Sequence, residues 1–314
     1  MTNQMTNQVI SQTDLRQRFY FDNSPVRGDA VHLTRSFAHV IAQKDYPEAI
    51  KQLLGEMLTA ASLLIGTLKI NGRLSVQLQS SDESSLLNWA MAECDHNGQV
   101  RGLAKWKQET DEQQAAWQQK KTANEAFAEL GDVGKGVLFI NIQPEKGEAY
   151  QGIVERGYDN LADCLAHYQL QSAQIPTLIS LACNGLQAGG LLVQLLPLSE
   201  EEKLLAEHGD ADEDLWSRLS ALTSTIKADE LTQLDPNEVL YRLYNEEKVV
   251  TPEATQLSFG CTCSKEKSAS AIRQLGKEQA LAVAEEHGGK IEMDCGFCGA
   301  LYPFDESDIA ALFA

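Results

Sequence analysis

Four of the seven cysteines in this 314-residue chain gather in its last quarter, as Cys261-Thr262-Cys263 and Cys295-Gly296-Phe297-Cys298. Two closely spaced pairs, here with 31 residues between them, are the sequence sign of a tetrahedral zinc site with four thiolate ligands. One turn aims two sulfurs at an ion, and a second turn has to close the tetrahedron from elsewhere in the chain. The first pair is C-x-C, tighter than the C-x-x-C of a zinc ribbon, and it sets two thiols close enough to react with each other. The competing chemistry is a pair of structural disulfides in a secreted protein. A structural zinc–thiolate site contributes on the order of 10–16 kcal/mol, which for a small domain is folding energy. Oxidants attack thiolates, and a sulfenic acid at Cys261 or Cys263 has a thiol two residues away with which to condense. These residues fit an inert structural zinc and an oxidant-sensitive one equally well.

The rest of the chain bears on the choice between metal and disulfide. The start, Met1-Thr2-Asn3-Gln4, repeats as Met5-Thr6-Asn7-Gln8 and stays polar, so no signal peptide is expected. No apolar run approaches the roughly 18 residues of a membrane span. The expected compartment is cytoplasmic and reducing, which favours metal over disulfide. A net charge of −19 argues against nucleic acid as a partner. Cys94, Cys164 and Cys183 are isolated and read as buried or half-buried structural thiols. Cys94 with His96 is a faint metal pair, and Asp163 with His167 a helix-surface pair. The run Gly131 to Gly136 lacks phosphate-loop spacing and leads into a strand where a helix would be required. No nucleophile, base and acid stand together, so no catalytic residue and no enzyme are expected.

The elements that must position the cysteines follow from periodicity. Phe19, Phe21, Val26, Val31 and Leu33 predict extended chain around Pro25 and Gly28. Leu53, Leu54, Met57, Leu58, Ala61, Leu64, Ile65 and Leu68 recur at helical spacing and predict a helix over Tyr46 to Lys69. Alternation at Leu74, Val76 and Leu78 predicts a strand after a turn at Asn71-Gly72. Val137 to Ile142 and Tyr150 to Val154 predict a strand pair, Leu161 to Leu170 a helix, and Leu191 to Leu196 a buried strand. Lys107 to Leu130, polar and Gln-rich, reads as a surface helix or excursion. From Leu198 to Gly260 the chain carries 15 acidic and 5 basic residues. Within it, Leu215, Leu219, Leu222 and Ile226 share a helical face, and Asp235-Pro236 with Glu238 forms a capping box opening a second helix. Two short helices so heavily charged need a partner surface in order to fold; they either cover the core permanently or form a metastable segment able to release. In the last stretch Ser264 caps a helix to Leu275, a second runs from Lys277 to His287, and Asp305 caps a third. Fewer than 60 residues with so few large apolar side chains need a metal or disulfides to hold together. The expected fold class is α+β, in four parts: a disordered lead-in at 1–12, an α+β core at 13–197, an acidic helical linker at 198–257 and a small zinc-binding domain at 258–314.

Several stretches then carry a resemblance. Val26-Arg27-Gly28, the 53–69 helix, Val100-Arg101-Gly102, Tyr150-Gln151-Gly152-Ile153-Val154, Ala188-Gly189-Gly190, Tyr241-Arg242-Leu243-Tyr244 and both cysteine pairs are similar to the redox-regulated holdase chaperones of the heat-shock protein 33 (33 kDa chaperonin) family. The resemblance implies one Zn2+ per chain, held by Cys261, Cys263, Cys295 and Cys298 in the reduced, inactive state. It implies that oxidation forms disulfides Cys261–Cys263 and Cys295–Cys298, ejects zinc and unfolds the linker. It implies further that the protein then dimerises and holds unfolding clients without ATP. Departures are the extended amino terminus, the longer Gln-rich 107–130 stretch, and Cys94 and Cys183, which have no family role. Two rival functions are a thiol–disulfide oxidoreductase using Cys295 and Cys298, and a zinc-ribbon adaptor.

Overall fold

The computed structural model describes residues 14–131, 135–197 and 209–313. The expected lead-in at 1–12, most of Glu200 to Asp214 and the middle of the Gly131–Gly136 run lie outside them. The chain divides into two compact units, Met1–Phe259 and Gly260–Ala314.

The first unit is built on one helix. After the hairpin β1 (Leu15–Phe21) and β2 (Val26–Leu33) and the short α1 (Arg35–Ile41) comes α2 (Glu48–Thr67). By length and composition α2 is apolar enough to cross a membrane, but 83% of it is buried inside the protein. It packs on both sheets of the unit, and its leucines form the centre of the larger hydrophobic core. The second sheet takes β3 (Gly72–Ser80), β4 (Leu87–Asp95), β5 (Gln99–Trp106), β6 (Gly136–Pro144) and β7 (Tyr150–Val154), with β12 (Ser258–Phe259) added at its edge, in the order β12-β5-β4-β3-β6-β7. The first sheet takes β8 (Thr177–Cys183) and β9 (Ala188–Leu195) and runs β10-β1-β2-β9-β8, with β10 (Val249–Val250) and β11 (Thr255–Gln256) both on β1. Between β5 and β6 lie α3 (Asp111–Gln119) and α4 (Ala123–Ala128), and α5 (Leu161–Ala173) precedes β8. The Gln-rich stretch is therefore not a simple surface excursion: Trp117, Ala126, Phe127 and Leu130 enter the main core while its glutamines and charges face water.

The C-terminal end of α2 explains a cluster of three arginines. Carbonyls in the last turn of a helix have no intrahelical donor. In that turn Arg18 donates to the Gly66 carbonyl and Arg27 to that of Thr67 at 3.1 Å, while Arg16 reaches the Ser62 carbonyl at 3.0 Å one turn earlier. Asp29, with its side chain 1% exposed, takes Arg18 at 2.8 Å and balances part of this charge.

The first sheet is covered on its other face too. Helices α6 (Gly209–Thr223), α7 (Ala228–Gln233) and α8 (Pro236–Tyr244) bring Leu219, Leu231, Val239, Leu240 and Tyr244 onto Phe19, Phe21, Val26, Leu191 and Val193. With both faces buried, β2 and β9 read as nearly unbroken runs of buried residues, without the alternation of a half-exposed strand. Asp235 caps α8 in a complete capping box with Glu238, as its sequence predicts. Two contacts fix α7. The C=O of Thr232 lies 2.9 Å from His32 Nε2, and that of Leu231 lies so close to Gly189 that a Cβ there would sit 1.8 Å from the oxygen.

The second unit holds α9 (Lys265–Leu275), α10 (Lys277–Glu286), the hairpin β13 (Lys290–Asp294) and β14 (Leu301–Asp305), and α11 (Glu306–Leu312). Its core is small: three alanines with Ile272, Ile291, Phe304 and Ile309.

Candidate metal centre

The four C-terminal cysteines converge. Their sulfurs all lie within 4.8 Å of one another, with Cys261 and Cys295 3.6 Å apart and Cys263 and Cys298 3.4 Å apart. A tetrahedron with metal–sulfur bonds of about 2.3 Å has sulfur–sulfur edges of about 3.8 Å, whereas a disulfide brings sulfurs to about 2.05 Å. The four donors are arranged for one ion, and all seven cysteines of the chain are free thiols. Thiolate donors at this separation suit a soft or borderline metal such as zinc.

Local folding places each sulfur. The first knuckle, Cys261 to Cys263, ends where Ser264 caps α9, its hydroxyl accepting from the Lys267 N–H at 3.3 Å. The ammonium of Lys267 folds back onto the Thr262 carbonyl and fixes the residue between the two thiols. The second knuckle is the turn of the β13–β14 hairpin. There Cys295 N–H donates to Ala300 C=O at 2.9 Å, and the N–H groups of Cys298 and Gly299 both donate to Cys295 C=O. Gly299 at φ 68° gives the left-handed turn this requires. Because Cys295 and Cys298 sit in a hairpin turn, neither thiol opens a helix. No helix N-terminus stands at this C-x-x-C to depress its thiols, as one does at a redox-catalytic C-x-x-C.

The sulfurs differ in their surroundings. Tyr302, on β14, donates its hydroxyl to Cys263 Sγ at 3.0 Å, and this hydrogen bond lowers that thiol to about 7. Partial burial raises Cys261, and raises Cys298 to about 12. Sequence reasoning missed Tyr302 as a site residue. Its signal was position: two residues after Ala300, the hairpin alternation points its side chain to the face of the sulfurs.

The remaining cysteines stand apart from this site. Cys94 and Cys164 are buried and Cys183 is half-buried, as expected of structural thiols. Burial pushes all three up, Cys94 and Cys183 to about 12. His96 turns away from Cys94 to the backbone of Gly72 and to Glu145. His167 meets Tyr158 on the surface of α5, its Nδ1 3.3 Å from the phenol oxygen.

The family described as Hsp33 protein matches residues 14–305. The chain is 43% identical over 306 residues to a 33 kDa chaperonin of Pseudomonas fluorescens, covering 96% of this chain and 94% of that protein. It is 44% identical over 305 residues to the 33 kDa chaperonin of Pseudomonas aeruginosa, covering 97% and 96%. A solved structure of the 33 kDa chaperonin (heat shock protein 33 homolog) of Thermotoga maritima superposes with a TM-score of 0.74 at 20% identity, over 96% of this chain and 97% of that one, which shows a shared fold.

Proposed function

The chain belongs to the Hsp33 family of chaperones, and from that premise we propose that it is a redox-regulated holdase whose switch is the four-cysteine centre. The observation that carries the reading is the convergence of four sulfurs within 4.8 Å in a unit whose apolar core is too small to be robust alone. Cys261, Cys263, Cys295 and Cys298 hold one zinc ion in the reduced state. When bound, zinc keeps the four sulfurs deprotonated and ties the two knuckles together.

Oxidation balances with a hydroperoxide as the oxidant. A thiolate sulfur attacks hydrogen peroxide, the O–O bond breaks, one oxygen stays on sulfur as a sulfenic acid and the other leaves as hydroxide, which takes a proton from solvent to become water. A second thiolate attacks that sulfur, the S–S bond forms, and the S–O oxygen departs as hydroxide, likewise protonated by solvent. Each peroxide thus removes two electrons from a pair of thiols, and two peroxides oxidise all four. The pairing Cys261–Cys263 and Cys295–Cys298 is carried over from the family. In the reduced site Cys261 lies 3.6 Å from Cys295 and Cys263 lies 3.4 Å from Cys298, pairs that join opposite knuckles, so mapping the disulfides by mass spectrometry is a direct test. With its ligands consumed, the small unit loses the metal that holds it. The helices α6 to α8 then release from the first sheet, and the uncovered apolar face binds unfolding client proteins without ATP. The oxidised protein acts as a homodimer, in the cytoplasm, and neither nucleic acid nor membrane is a partner.

Parallel measurement of client aggregation and released zinc tests this. The reduced protein should leave thermal aggregation of a model client unchanged, and the peroxide-treated protein should suppress it as zinc appears in solution. Suppression with all four thiols still metal-bound would refute the switch. Insulin reduction by catalytic amounts of protein would instead support the oxidoreductase reading, against which the hairpin setting of Cys295 and Cys298 already speaks.

A further inference from the structure

The first sheet ends in an edge that the chain fills with a piece of itself. Strand β1 has β2 on one side, and on the other it carries residues 248–257. This strap pairs antiparallel at two places, Tyr20 with Val250 and Phe21 with Val249, then Leu15 with Gln256 and Arg16 with Thr255. The hydrogen bonds show which backbone groups it uses. Asp22 N–H donates to the Lys248 carbonyl at 2.9 Å, and Leu257 N–H donates to the Asp14 carbonyl at 2.9 Å. Hydrogen-bonding direction alternates along a strand, so the even-numbered residues from Asp14 to Asp22 turn their N–H and C=O groups to the strap.

The strap fills this edge poorly. Between its two paired dipeptides, Thr251 to Ala254 leave the ladder, and Pro252 has no N–H to give. Opposite that gap, the Arg18 carbonyl accepts from the side chain of Gln17 at 2.9 Å, a substitute for a strand partner. The same Gln17 amide donates to the Pro252 carbonyl at 2.7 Å and pins the bulged middle. Four paired residues therefore stand on a strand of seven. An extended segment able to pair continuously would make more ladder bonds there than the chain's own strap does. Beside the edge, Phe19 and Phe21 on β1 and Leu191 and Val193 on β9 form the apolar face that α6 to α8 cover.

We propose that the outer edge of β1 is a client-binding site, and that the strap is a built-in stand-in for the client. Once oxidation frees residues 209–257, an extended segment of an unfolding protein adds to β1 as an antiparallel strand. Backbone hydrogen bonds to the even-numbered residues supply affinity without sequence, and apolar side chains at alternate positions seat on the face beside them. The occupant is a β-forming segment with apolar residues at every second position. This inference rests on the holdase reading and names the surface that performs it.

The test uses full-length protein and a labelled synthetic peptide with the sequence of Glu247 to Ser258, followed by fluorescence anisotropy and, in parallel, by competition in the client-aggregation assay. N-methylation at Val250 and Thr255 removes the donors that face β1, whereas methylation at Val249 and Gln256 removes donors on the far side. The unmodified peptide should bind the oxidised protein, bind the reduced protein at least tenfold more weakly, and reduce client holding in proportion to occupancy. Methylation at Val250 and Thr255 should weaken binding at least tenfold, and methylation at Val249 and Gln256 less than threefold. Equal loss from both modifications, or no binding by a protein that still holds clients, overturns the proposal while leaving the holdase reading intact. If the peptide binds as described but the oxidised protein suppresses no aggregation, the holdase reading fails and the client role fails with it. If the peptide splits an oxidised dimer into monomers while client holding is unchanged, the edge belongs to a second copy of the chain, and that also overturns the proposal.

Discussion

Gly189→Ala should undock α7 in the reduced protein. The new Cβ would lie 1.8 Å from the Leu231 carbonyl oxygen and 2.6 Å from its carbon, both backbone atoms that no rotamer change can move. The neighbouring contact is lost with it, because Gly189 pairs with His32, whose Nε2 lies 2.9 Å from the Thr232 carbonyl. A carbonyl only accepts, so Nε2 carries the proton there, and Nδ1 has no partner among the described residues. Overpacking costs about 1–3 kcal/mol and a buried hydrogen bond left unmade about 1–3 kcal/mol. Taking about 3 kcal/mol for the pair, the undocked fraction rises roughly 150-fold, at about 1.4 kcal/mol per factor of ten. Native-state hydrogen exchange reads this directly: amides of Leu231 to Tyr244 should exchange about two orders of magnitude faster while those of α2 do not change. Gly157→Ala, with nothing within 4 Å of its Cβ, is the control. His32→Phe, which removes the donor without adding to the backbone clash, should give a smaller rise of roughly tenfold. Under the proposed function the Gly189→Ala protein also suppresses some client aggregation without oxidant. Unaltered protection across α7 and α8 would refute the docking role of these two contacts.

Three further outcomes follow from the same packing. Phe304, 1% exposed in the small core, should cost about 3–5 kcal/mol on truncation to alanine, so Phe304→Ala should weaken zinc retention against a chelator, and unchanged retention would show that the core does not support the site. Cys94, Cys164 and Cys183 should alkylate far more slowly at pH 8 than Cys263 after metal removal, since burial raises all three whereas the Tyr302 hydroxyl lowers Cys263; equal labelling by mass spectrometry would contradict this. Glu56 makes no hydrogen bond or ion pair among the described residues, and burial raises it to about 8 from a usual 4.5. The folded state then holds a proton that the unfolded state has lost, so its penalty grows as pH rises from about 4.5 to 8. Glu56→Gln should remove that decline and add about 2–4 kcal/mol at pH 8, and parallel stability–pH curves for the two proteins would show the carboxyl to be solvated.

The local elements were legible where pattern and cap coincide. The helix over Tyr46 to Lys69 forms as Glu48–Thr67, the strands around Leu74 and Val137 form and pair, and Ser264, Asp235 and Asp305 cap the helices expected of them. Strands β4, β5 and β8 were not read. In β4, Leu87, Ala90 and Ala92 to Cys94 are buried in no simple alternation, because a register shift between Leu87 and Trp89 breaks the period. The cysteine cluster was legible as a ligand set because spacing alone reports it. Its surroundings were only half legible: hairpin alternation puts Tyr302 on the face of the sulfurs, but the reach of its hydroxyl to Cys263, 39 residues away, has no local sequence signal. Nor does the sequence show that the strap returns to β1 from more than 230 residues away.

That return is what gives the acidic region something to control. Each of β10, β11 and β12 has two residues, too few to persist as strands without the helices and turns around them. Phe259 is the last anchor, paired beside Val100 and stacked at 4.2 Å on His39 of α1, and Cys261 follows it by two residues. A fold assembled from such short pairings is drawn from the low-stability end of the molecule, where local opening is cheapest. Its persistence then depends on what holds its two ends: at one, the packing of α6 to α8 on the first sheet, and at the other, the order of the unit that begins at Gly260. Under the proposed function, loss of the four-sulfur centre removes the second hold, and the strap's sparse pairing on β1 leaves little to resist the release of the first.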